Sequence, residues 1–311
     1  MRAYALDAFG QPGSIHDLPD PEPTEGQVLV RVAAASLNPF DNAVLMGYVK
    51  DMMEHRFPLI PAGDFAGTVD ALGADVKGFA VGDPVFGVTG KMFMGEGTLS
   101  ELTAASVGTI ATRPGALSEV EAAALPLAGV SALMSVEAVD PKPKDVVVIV
   151  GASGGIGSYA IQLAGLRGAH VIAVTSTPNI EYVKGLGADE VIDRTSGDVL
   201  EQLQAKHKDG VASIIDTASD APALAKLSEA VRKGGTVTSM KGAAAVEDLA
   251  KRDIKGVNVT TQVNSERLEQ LADLAAKGKL KAPRIKTFPL EQADEAFKLL
   301  GQSGGKLVVK I

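Results

Sequence analysis

A run of β-branched residues that ends in a cluster of glycines is the part of this chain best suited to chemistry. The five apolar residues Val146–Val150 predict a buried strand, and a seven-residue segment with four glycines follows, Gly151–Gly157. Apolar residues then recur at helical spacing from Ser158 onward, so the glycines lie between a strand and a helix. At such a place Gly154 would let the backbone approach a pyrophosphate, and the free N–H groups of the helix would bind it. The segment therefore predicts a dinucleotide-binding turn.

This turn departs in one position from the usual pattern G-x-G-x-x-G. Ala152 stands where the first glycine is expected, ahead of Gly154 and Gly157. A seven-residue turn that begins at Gly151 would be slightly wider and would accommodate the alanine methyl group. We expect Gly157 to let the helix pack closely against the strand. The residues expected to contact the cofactor are Ala152, Ser153, Gly154, Gly155 and Ile156.

The end of the next predicted strand bears on the choice of cofactor. NAD-binding units place an acidic residue there, about 20 residues after the turn, to bind the ribose hydroxyls. Here the place is held by Thr175, Ser176 and Thr177, whose hydroxyls could donate to a 2′-phosphate. Arg194 follows the next strand and could supply a cation, so the sequence favours NADPH. Two alternatives stay open, that Ser176 and Thr177 only cap the following helix and that specificity is loose or dual.

Composition excludes several classes of protein. The chain has 311 residues, 46% of them hydrophobic, which is enough for two domains. A net charge of −8 without blocks of like charge argues against nucleic acid or an anionic membrane surface as partner. There is no run of 18 apolar residues, and Asp7 interrupts the segment where a signal peptide would be apolar. The absence of cysteine excludes disulfides and thiolate metal sites, and we expect a soluble, cytoplasmic protein.

The elements that must position these residues fall into three stretches. Residues 1 to about 120 contain short apolar runs broken by glycine and proline, such as 27–32, 66–72 and 81–87, which predict a mostly β domain. Ser118 and Glu121 form the pattern of a capping box that would start a helix running to Val139. Strands beginning at residues 146, 170, 190, 212 and 236 alternate with helical segments, as in a doubly wound parallel sheet. Beyond about residue 263, segments 266–277 and 290–300 are predicted helices, and 284–289 and 305–311 are predicted strands.

Segments spread over nearly the whole chain carry a family resemblance. They are Ser36–Asp41, Ala62–Val69, Val81–Gly87, Ala122–Ser131, the glycine turn, Leu186–Asp193 and Gly305–Val309. With them the chain resembles the zinc-free quinone oxidoreductase (ζ-crystallin-like) branch of the medium-chain dehydrogenase/reductase superfamily. The resemblance implies an α/β fold with a GroES-like, mostly-β domain, residues 1–121 and 264–311. It also implies a Rossmann domain with a doubly wound parallel sheet, residues 122–263, and a cofactor in the cleft between the domains.

The resemblance also implies roles for individual residues. Asn38 would lie beside the nicotinamide, where its amide could donate to the substrate oxygen as negative charge develops. The alternative is that Asn38 only stabilises the turn before Pro39. Tyr48 lies in a segment that should border the cleft and is a candidate for contact with the substrate. Beyond the glycine turn, Thr175–Thr177 and Arg194, the residues expected to contact the cofactor are Asn38, Ser131, Thr217, Met240, Val263, Asn264 and Lys306.

The same resemblance argues against zinc. Asn38, Asp64 and Leu127 stand where zinc-dependent relatives hold their catalytic metal, and this set of side chains cannot bind Zn²⁺ with useful affinity. Without a Lewis acid, alcohol oxidation is disfavoured, whereas hydride transfer to a quinone or an α,β-unsaturated carbonyl needs none. The alternatives are an enoyl reductase for a CoA- or carrier-bound thioester and a non-catalytic NADPH-binding protein. We also expect a homodimer, since an exposed sheet edge is normally covered or paired.

Overall fold

The chain is described by a computed structural model that covers residues 1–302 and 304–311. In chain order, its strands are β1 (Arg2–Ala5), β2 (Ser14–Asp17), β3 (Gln27–Leu37), β4 (His55–Ile60), β5 (Asp64–Leu72), β6 (Pro84–Val88), β7 (Met94–Glu96), β8 (Leu102–Ser106), β9 (Ile110–Thr112), β10 (Val146–Val150), β11 (His170–Thr175), β12 (Glu190–Asp193), β13 (Val211–Asp216), β14 (Val231–Ser239), β15 (Lys255–Asn258), β16 (Ile285–Pro289) and β17 (Lys306–Lys310). Its helices are α1 (Pro39–Leu45), α2 (Glu119–Ala123), α3 (Pro126–Val139), α4 (Gly155–Leu166), α5 (Ile180–Gly185), α6 (Val199–Lys206), α7 (Ala221–Leu227), α8 (Val246–Ala250), α9 (Ser265–Ala276) and α10 (Ala293–Leu299). These elements form two units, residues 1–127 with 263–311 and residues 128–262.

The first unit is built on a mainly antiparallel sheet with the strand order β16-β17-β3-β5-β6-β9, in which β8 also pairs with β3. Its long strand β3 determines where the candidate site lies. At the end of this strand, Ser36 pairs with Asp64 on one side and Leu37 pairs with Leu307 on the other. The loop that follows β3 is therefore held next to the start of β5 and the start of β17. Fully buried side chains, among them Leu37, Phe65 and Phe86, form the core beneath these strands.

The second unit contains a six-stranded parallel sheet with the order β12-β11-β10-β13-β14-β15. From the central strand β10 the chain winds outward through β11 and β12, and then from β13 through β14 to β15 on the other side. The order reverses between β10 and β13, and ligands of open α/β sheets bind at the carboxyl ends of the strands at such a point. The predicted doubly wound sheet is confirmed. The sixth strand, β15, was not predicted, because its sequence Lys-Gly-Val-Asn contains a single β-branched residue and pairs through the backbone.

Two local predictions differ from the structure. The predicted helix from Ser118 to Val139 is two helices, since Pro126 lacks an N–H group and begins α3 after α2 has ended at Ala123. The predicted capping box is present, because the Ser118 N–H donates to Glu121 Oε2 at 3.0 Å and the Glu121 N–H donates to Ser118 Oγ at 3.3 Å. The strand predicted over 81–87 starts only at Pro84, because Gly82 has a φ of +95° and turns the chain.

Candidate active site

The glycine turn follows β10 at the point where the strand order reverses. Gly151 has a φ of +74°, and a Cβ atom there would lie 2.4 Å from Thr217 Oγ1. A Cβ atom on Gly157 would lie 2.3 Å from the Gly151 carbonyl oxygen, so this position also requires glycine. Ala152 is fully buried within the turn. The turn therefore begins at Gly151, as the seven-residue reading predicts, and the alanine takes the place of a glycine without strain.

Helix α4 begins directly after this turn. Gly154 is its N-cap residue, with φ −76° and ψ 174°, and the helix extends over twelve residues. A Cβ atom on Gly154 would lie 3.3 Å from the Gly151 carbonyl oxygen, a tighter contact than usual but a much looser one than at Gly151 or Gly157. Free backbone N–H groups at a helix N-terminus attract anions such as phosphate. Glycine at position 154 leaves the backbone at the start of α4 open to an approaching molecule.

Two buried polar atoms flank the glycine turn, one on each neighbouring strand. Thr175 Oγ1 at the end of β11 and Asp216 Oδ2 at the end of β13 have no hydrogen-bond partner in the described part of the chain. Thr175 is 3% exposed and Asp216 is fully buried. Most buried polar atoms are paired, and an unpaired one costs free energy. The turn, the helix N-terminus and these two atoms fit a polar, phosphate-containing ligand such as a nicotinamide dinucleotide.

The loop after β11 departs from the prediction about the cofactor's ribose. Of the three predicted hydroxyls, Thr175 is buried, and Thr177 Oγ1 donates to Asp193 Oδ2 at 2.5 Å. A carboxylate therefore lies beside this loop, although residues 175–177 include no acid. Asp193 ends β12, which pairs in parallel with β11, so the acid comes from a strand that is distant in sequence. Thr195 donates two more hydrogen bonds to Asp193 Oδ1, at 2.8 Å from its N–H and 2.6 Å from its hydroxyl.

These hydrogen bonds determine what Asp193 can do. The bonds from Thr177 and Thr195 lower the pKa of its carboxyl group, which is therefore ionised at neutral pH. Both oxygens already accept hydrogen bonds from the protein, whereas an acid that binds ribose must accept from the two ribose hydroxyls. Asp193 therefore adds negative charge to this loop, and three of its acceptor sites are already used by Thr177 and Thr195.

Of the other predicted contacts at this loop, Ser176 is half-buried and Arg194 is exposed. Ser176 Oγ accepts from Asn179 Nδ2 at 3.2 Å, and the serine makes no side-chain capping hydrogen bond to the turn that follows. The Arg194 N–H donates to the Thr175 carbonyl oxygen at 2.9 Å, which places Arg194 beside the end of β11 with its side chain exposed. A hydroxyl donor and a cation thus lie at the end of the second strand.

The first unit holds a buried polar cluster around Asn38, which follows β3. Lys306 Nζ donates to Asn38 Oδ1 at 2.6 Å and to the Leu37 carbonyl oxygen at 3.0 Å. Asn38 Nδ2 donates to Asp64 Oδ2 at 3.0 Å, and the Leu127 N–H donates to Asp64 Oδ1 at 3.3 Å. Lys306 Nζ lies 3.6 Å from Asp64 Oδ2, and both side chains are almost completely buried. The cluster is a lysine–aspartate ion pair bridged by an asparagine amide.

A second acid, Asp41, lies in the first turn of α1 and bonds to the same loop. The Asn38 N–H donates to Asp41 Oδ2 at 2.7 Å. Burial raises the pKa of Asp41 to about 7, and the negative charge of Asp64 acts in the same direction. Burial likewise raises the pKa of Asp64 and lowers that of Lys306. Sequence reasoning missed Asp41, although the spacing Asn38-x-x-Asp41 is that of a helix N-terminal box.

Zinc does not fit this cluster. Asn38, Asp64 and Leu127 do come together, but the Asp64 carboxylate is paired with the Lys306 ammonium, and a lysine cation would repel a metal ion. A neutral amide and an alkyl chain complete the set, and neither is a ligand that Zn²⁺ prefers. Within residues 1–302 and 304–311, no group of three or more His, Cys, Asp or Glu side chains is arranged to hold a metal ion.

The other predicted contacts occupy varied positions. Tyr48 is 75% exposed, in the segment after α1. Lys306, predicted to contact the cofactor, has its ammonium group engaged in the buried cluster, and Asn264 uses its side-chain oxygen to cap α9 through the Arg267 N–H at 2.9 Å. Val263 is half-buried.

In the second unit, Thr217 and Met240 follow β13 and β14 at the edge that carries the glycine turn. Thr217 Oγ1 donates to the Val150 carbonyl oxygen at 2.8 Å, while Met240 Sδ accepts from Ser135 Oγ at 3.3 Å. The buried Ser131 hydroxyl lies 2.7 Å from Thr261 Oγ1.

Comparison with known proteins identifies the class to which this fold and site belong. Residues 24–124 match the family described as alcohol dehydrogenase GroES-like domain, and residues 186–309 match the one described as zinc-binding dehydrogenase. The structure of the quinone oxidoreductase from Coxiella burnetii superposes with a TM-score of 0.90 at 31% identity, covering 100% of this chain and 99% of that one. The predicted GroES-like and Rossmann folds are confirmed.

Curated relatives specify the branch. The chain is 39% identical over 222 residues to quinone-oxidoreductase QR1, chloroplastic, of Triphysaria versicolor, covering 68% of this chain and 67% of that protein. It is 34% identical over 252 residues to 2-methylene-furan-3-one reductase of Solanum lycopersicum, covering 78% and 63%. The chain therefore belongs to the zinc-free quinone oxidoreductase branch of the medium-chain dehydrogenase/reductase superfamily. It is an oxidoreductase of a family that uses a nicotinamide cofactor. In the described part of the chain, no helix is long and apolar enough to span a membrane.

Proposed function

We propose that this protein is an NADPH-dependent, zinc-independent oxidoreductase that transfers a hydride to a quinone or an α,β-unsaturated carbonyl compound. The observation that carries the proposal is the Gly151–Gly157 turn at the reversal point of the parallel sheet, with open backbone at Gly154. The turn would hold the pyrophosphate, and the atoms left unpaired at Thr175 and Asp216 would contact the bound cofactor. The cofactor supplies the hydride, and the protein supplies binding, orientation and exclusion of water.

The preference for NADPH over NADH rests on Ser176 and Arg194. A 2′-phosphate would accept from the serine hydroxyl and pair with the exposed guanidinium group, and arginine binds phosphate well because its donors form a planar fork. A carboxylate that binds the two ribose hydroxyls of NADH must accept two hydrogen bonds, and Asp193 already accepts three from the protein, so it is a poor candidate for that role. The charge of Asp193 opposes the phosphate, so we expect a moderate preference rather than an absolute one.

The acceptor follows from the absence of a suitable metal site. Asn38, Asp64 and Lys306 provide no set of metal ligands by which a metal ion could stabilise an alkoxide, which favours a substrate that delocalises its own charge. Quinones and α,β-unsaturated carbonyls do this. The names of the relatives in Triphysaria versicolor and Solanum lycopersicum give one member of each acceptor class.

Asn38 and Tyr48 are the residues we propose to contact the acceptor. One N–H of the Asn38 amide donates to Asp64, which leaves its second N–H for the acceptor oxygen. Replacing Asn38 with alanine would leave Lys306 and Asp64 without their bridge, at a cost of about 1–3 kcal/mol in stability. If turnover by the folded fraction of this variant equals that of the wild type, the amide is not an oxyanion donor.

A panel of acceptors tests the proposed reaction. Quinones, enones and enoyl thioesters are offered to the purified protein with NADPH or NADH, and cofactor oxidation is followed by absorbance. We expect turnover with quinones or enones, faster with NADPH. Turnover confined to enoyl thioesters would favour a carrier- or CoA-linked enoyl reductase, and cofactor binding without turnover on any acceptor would indicate a non-catalytic NADPH-binding protein. A homodimer and a cytoplasmic location are further proposals, which size measurement in solution and localisation of the tagged protein test.

A further inference from the structure

A small cavity in the first unit contains one buried acid in an otherwise mainly apolar wall. Its volume is about 90 Å³, and its lining includes Phe40, Val44, Leu59, Pro61 and Phe93 together with Asp41. A second ionisable residue, Glu96, also borders the cavity but is paired with Lys91 and Arg56. Asp41 is therefore the acid of this cavity that forms no salt bridge within the described residues, although Lys306 acts on it at longer range. We propose that the Asp41 carboxyl group is the proton donor to the acceptor oxygen in the proposed reaction.

The hydrogen bonding of Asp41 leaves room for a proton. Its Oδ2 accepts the Asn38 N–H at 2.7 Å, and this is the single hydrogen bond that the carboxyl group receives within the described residues. The second oxygen, Oδ1, can therefore carry a proton and donate it to a molecule in the cavity. The side chain is 7% exposed, so bulk water does not compete freely for this group.

The charges around Asp41 favour its protonated form. The ionisable groups that face it are Asp64 on β5, Lys306 on β17 and Glu96 on β7 across the cavity. Lys306 pairs with Asp64 at 3.6 Å, and its positive charge opposes protonation of Asp41 less than the negative charge of Asp64 favours it. Burial and the nearby negative charge of Asp64 raise the pKa of Asp41 to about 7. A general acid is most effective when its pKa lies near the working pH.

This proton transfer rests on the proposed function, and its atoms and electrons balance as follows. The acceptor receives a hydride from the reduced nicotinamide and a proton from Asp41. The O–H bond of the carboxyl group breaks, an O–H bond forms on the acceptor oxygen, and Asp41 is left as a carboxylate that recovers a proton from water. For a quinone, one hydride and one proton give the hydroquinone, a two-electron reduction matched by oxidation of the cofactor.

The substitution Asp41→Asn tests the donor role, because the amide oxygen can still accept the Asn38 N–H while the acid is lost. Two substrates are compared, duroquinone, whose hydroquinone is weakly acidic, and tetrachlorobenzoquinone, whose hydroquinone is strongly acidic and needs little proton assistance. We expect kcat to fall about 100-fold with duroquinone, the lower range for a general acid, and only a few-fold with tetrachlorobenzoquinone. Equal losses on both quinones, or no loss, would overturn the donor role. The exposed Asp75 provides the matched control, Asp75→Asn, which should leave both rates unchanged.

If Asp41→Asn does not fold, the pH dependence and the infrared spectrum of the wild type test the donor role instead. The rate with duroquinone should decrease as the pH rises through about 7, and the rate with tetrachlorobenzoquinone should not. Infrared spectroscopy of the cofactor-free protein should show the C=O band of a protonated carboxylic acid that disappears through neutral pH. The absence of such a band would overturn the donor role without reference to turnover. A wild type that shows this band yet reduces no quinone or enone would instead refute the proposed function, and the donor role with it.

Discussion

Lys306 Nζ lies 2.6 Å from Asn38 Oδ1, and this contact fixes the orientation of the Asn38 amide. A lysine ammonium group only donates hydrogen bonds, so the oxygen must face it, and the NH₂ group is then directed at Asp64 Oδ2, 3.0 Å away. The strand pairing explains why these three side chains lie together, because β3 pairs with both β5 and β17. Asp64 and Lys306 thus form an ion pair bridged by the Asn38 amide.

The first prediction concerns the stability that this ion pair contributes. Lys306→Met leaves the Asp64 carboxylate buried without its cation, and breaking a buried pair in this way costs about 3–5 kcal/mol. The double variant Lys306→Met with Asp64→Asn removes both charges and should be more stable than the single variant. Urea denaturation measures both free energies of unfolding, with Lys310→Met on the exposed end of the same strand as control. Equal stability of the single and double variants would show that the unpaired charge is not the cause.

The second prediction concerns the glycine turn. In Gly154→Ala the new methyl group lies 3.3 Å from the Gly151 carbonyl oxygen, a tight contact, and alanine is a poorer N-cap than glycine, so the cofactor-free protein should lose about 1 kcal/mol of stability and remain folded. The same methyl group occupies the space through which a pyrophosphate would approach the backbone, and we expect cofactor affinity to fall about tenfold or more. Gly165 lies in the same helix with open space around it, so Gly165→Ala should bind as the wild type does. Calorimetric titration with NADPH compares the three proteins, and unchanged affinity in Gly154→Ala would remove the turn from the binding site.

The third prediction concerns cofactor choice. Asp193→Asn removes a negative charge beside Ser176 and should strengthen NADPH binding with little effect on NADH, whereas Arg194→Ala should weaken NADPH selectively. Each substitution is expected to change the dissociation constant of NADPH about three- to thirtyfold, which is typical of a charge near a partly exposed phosphate. The dissociation constants are measured by cofactor fluorescence at two salt concentrations, because screening should reduce both effects. If the two variants alter NADH and NADPH equally, the 2′-phosphate does not bind at this loop.

The sequence predicted the structure well where the candidate site consists of a contiguous stretch of backbone. The strand, the glycines and the helix of residues 146–166 are contiguous, so their spacing alone predicts the turn, including its start at Gly151. The sequence did not predict the side-chain contacts that are formed through strand pairing. Asp193 lies sixteen residues from Thr177, and Lys306 lies 268 residues from Asn38, so neither contact has a local signal.

The fourth prediction concerns metals. Because the Lys306 ammonium group neutralises Asp64 and the chain has no cysteine, turnover should not depend on zinc. Prolonged treatment with a strong chelator followed by gel filtration should leave both the rate and the melting temperature unchanged. Elemental analysis that found one tightly bound zinc per chain, or a rate restored by added zinc, would contradict this.

The last prediction concerns stability and pH. In the folded protein the pKa of Asp41 is raised to about 7, above its ordinary value of 3.8, because the carboxyl group is buried. Between these two values the folded protein keeps a proton that the unfolded chain has released, so the free energy of unfolding should fall as the pH rises. The contribution of Asp41 is fully present below about pH 4 and is lost as the pH passes about 7, on the order of 4 kcal/mol in total.

Asp41→Asn removes this titration, so its free energy of unfolding should decrease less over the same range. Asp64, whose pKa is also raised, is present in both proteins, so the difference between the two curves reports Asp41 together with its coupling to Asp64. Urea denaturation of the cofactor-free proteins at several pH values gives both curves. If the two curves run parallel from about pH 4 to pH 7, Asp41 is ionised across this range, and its carboxyl group holds no proton at neutral pH for transfer to an acceptor.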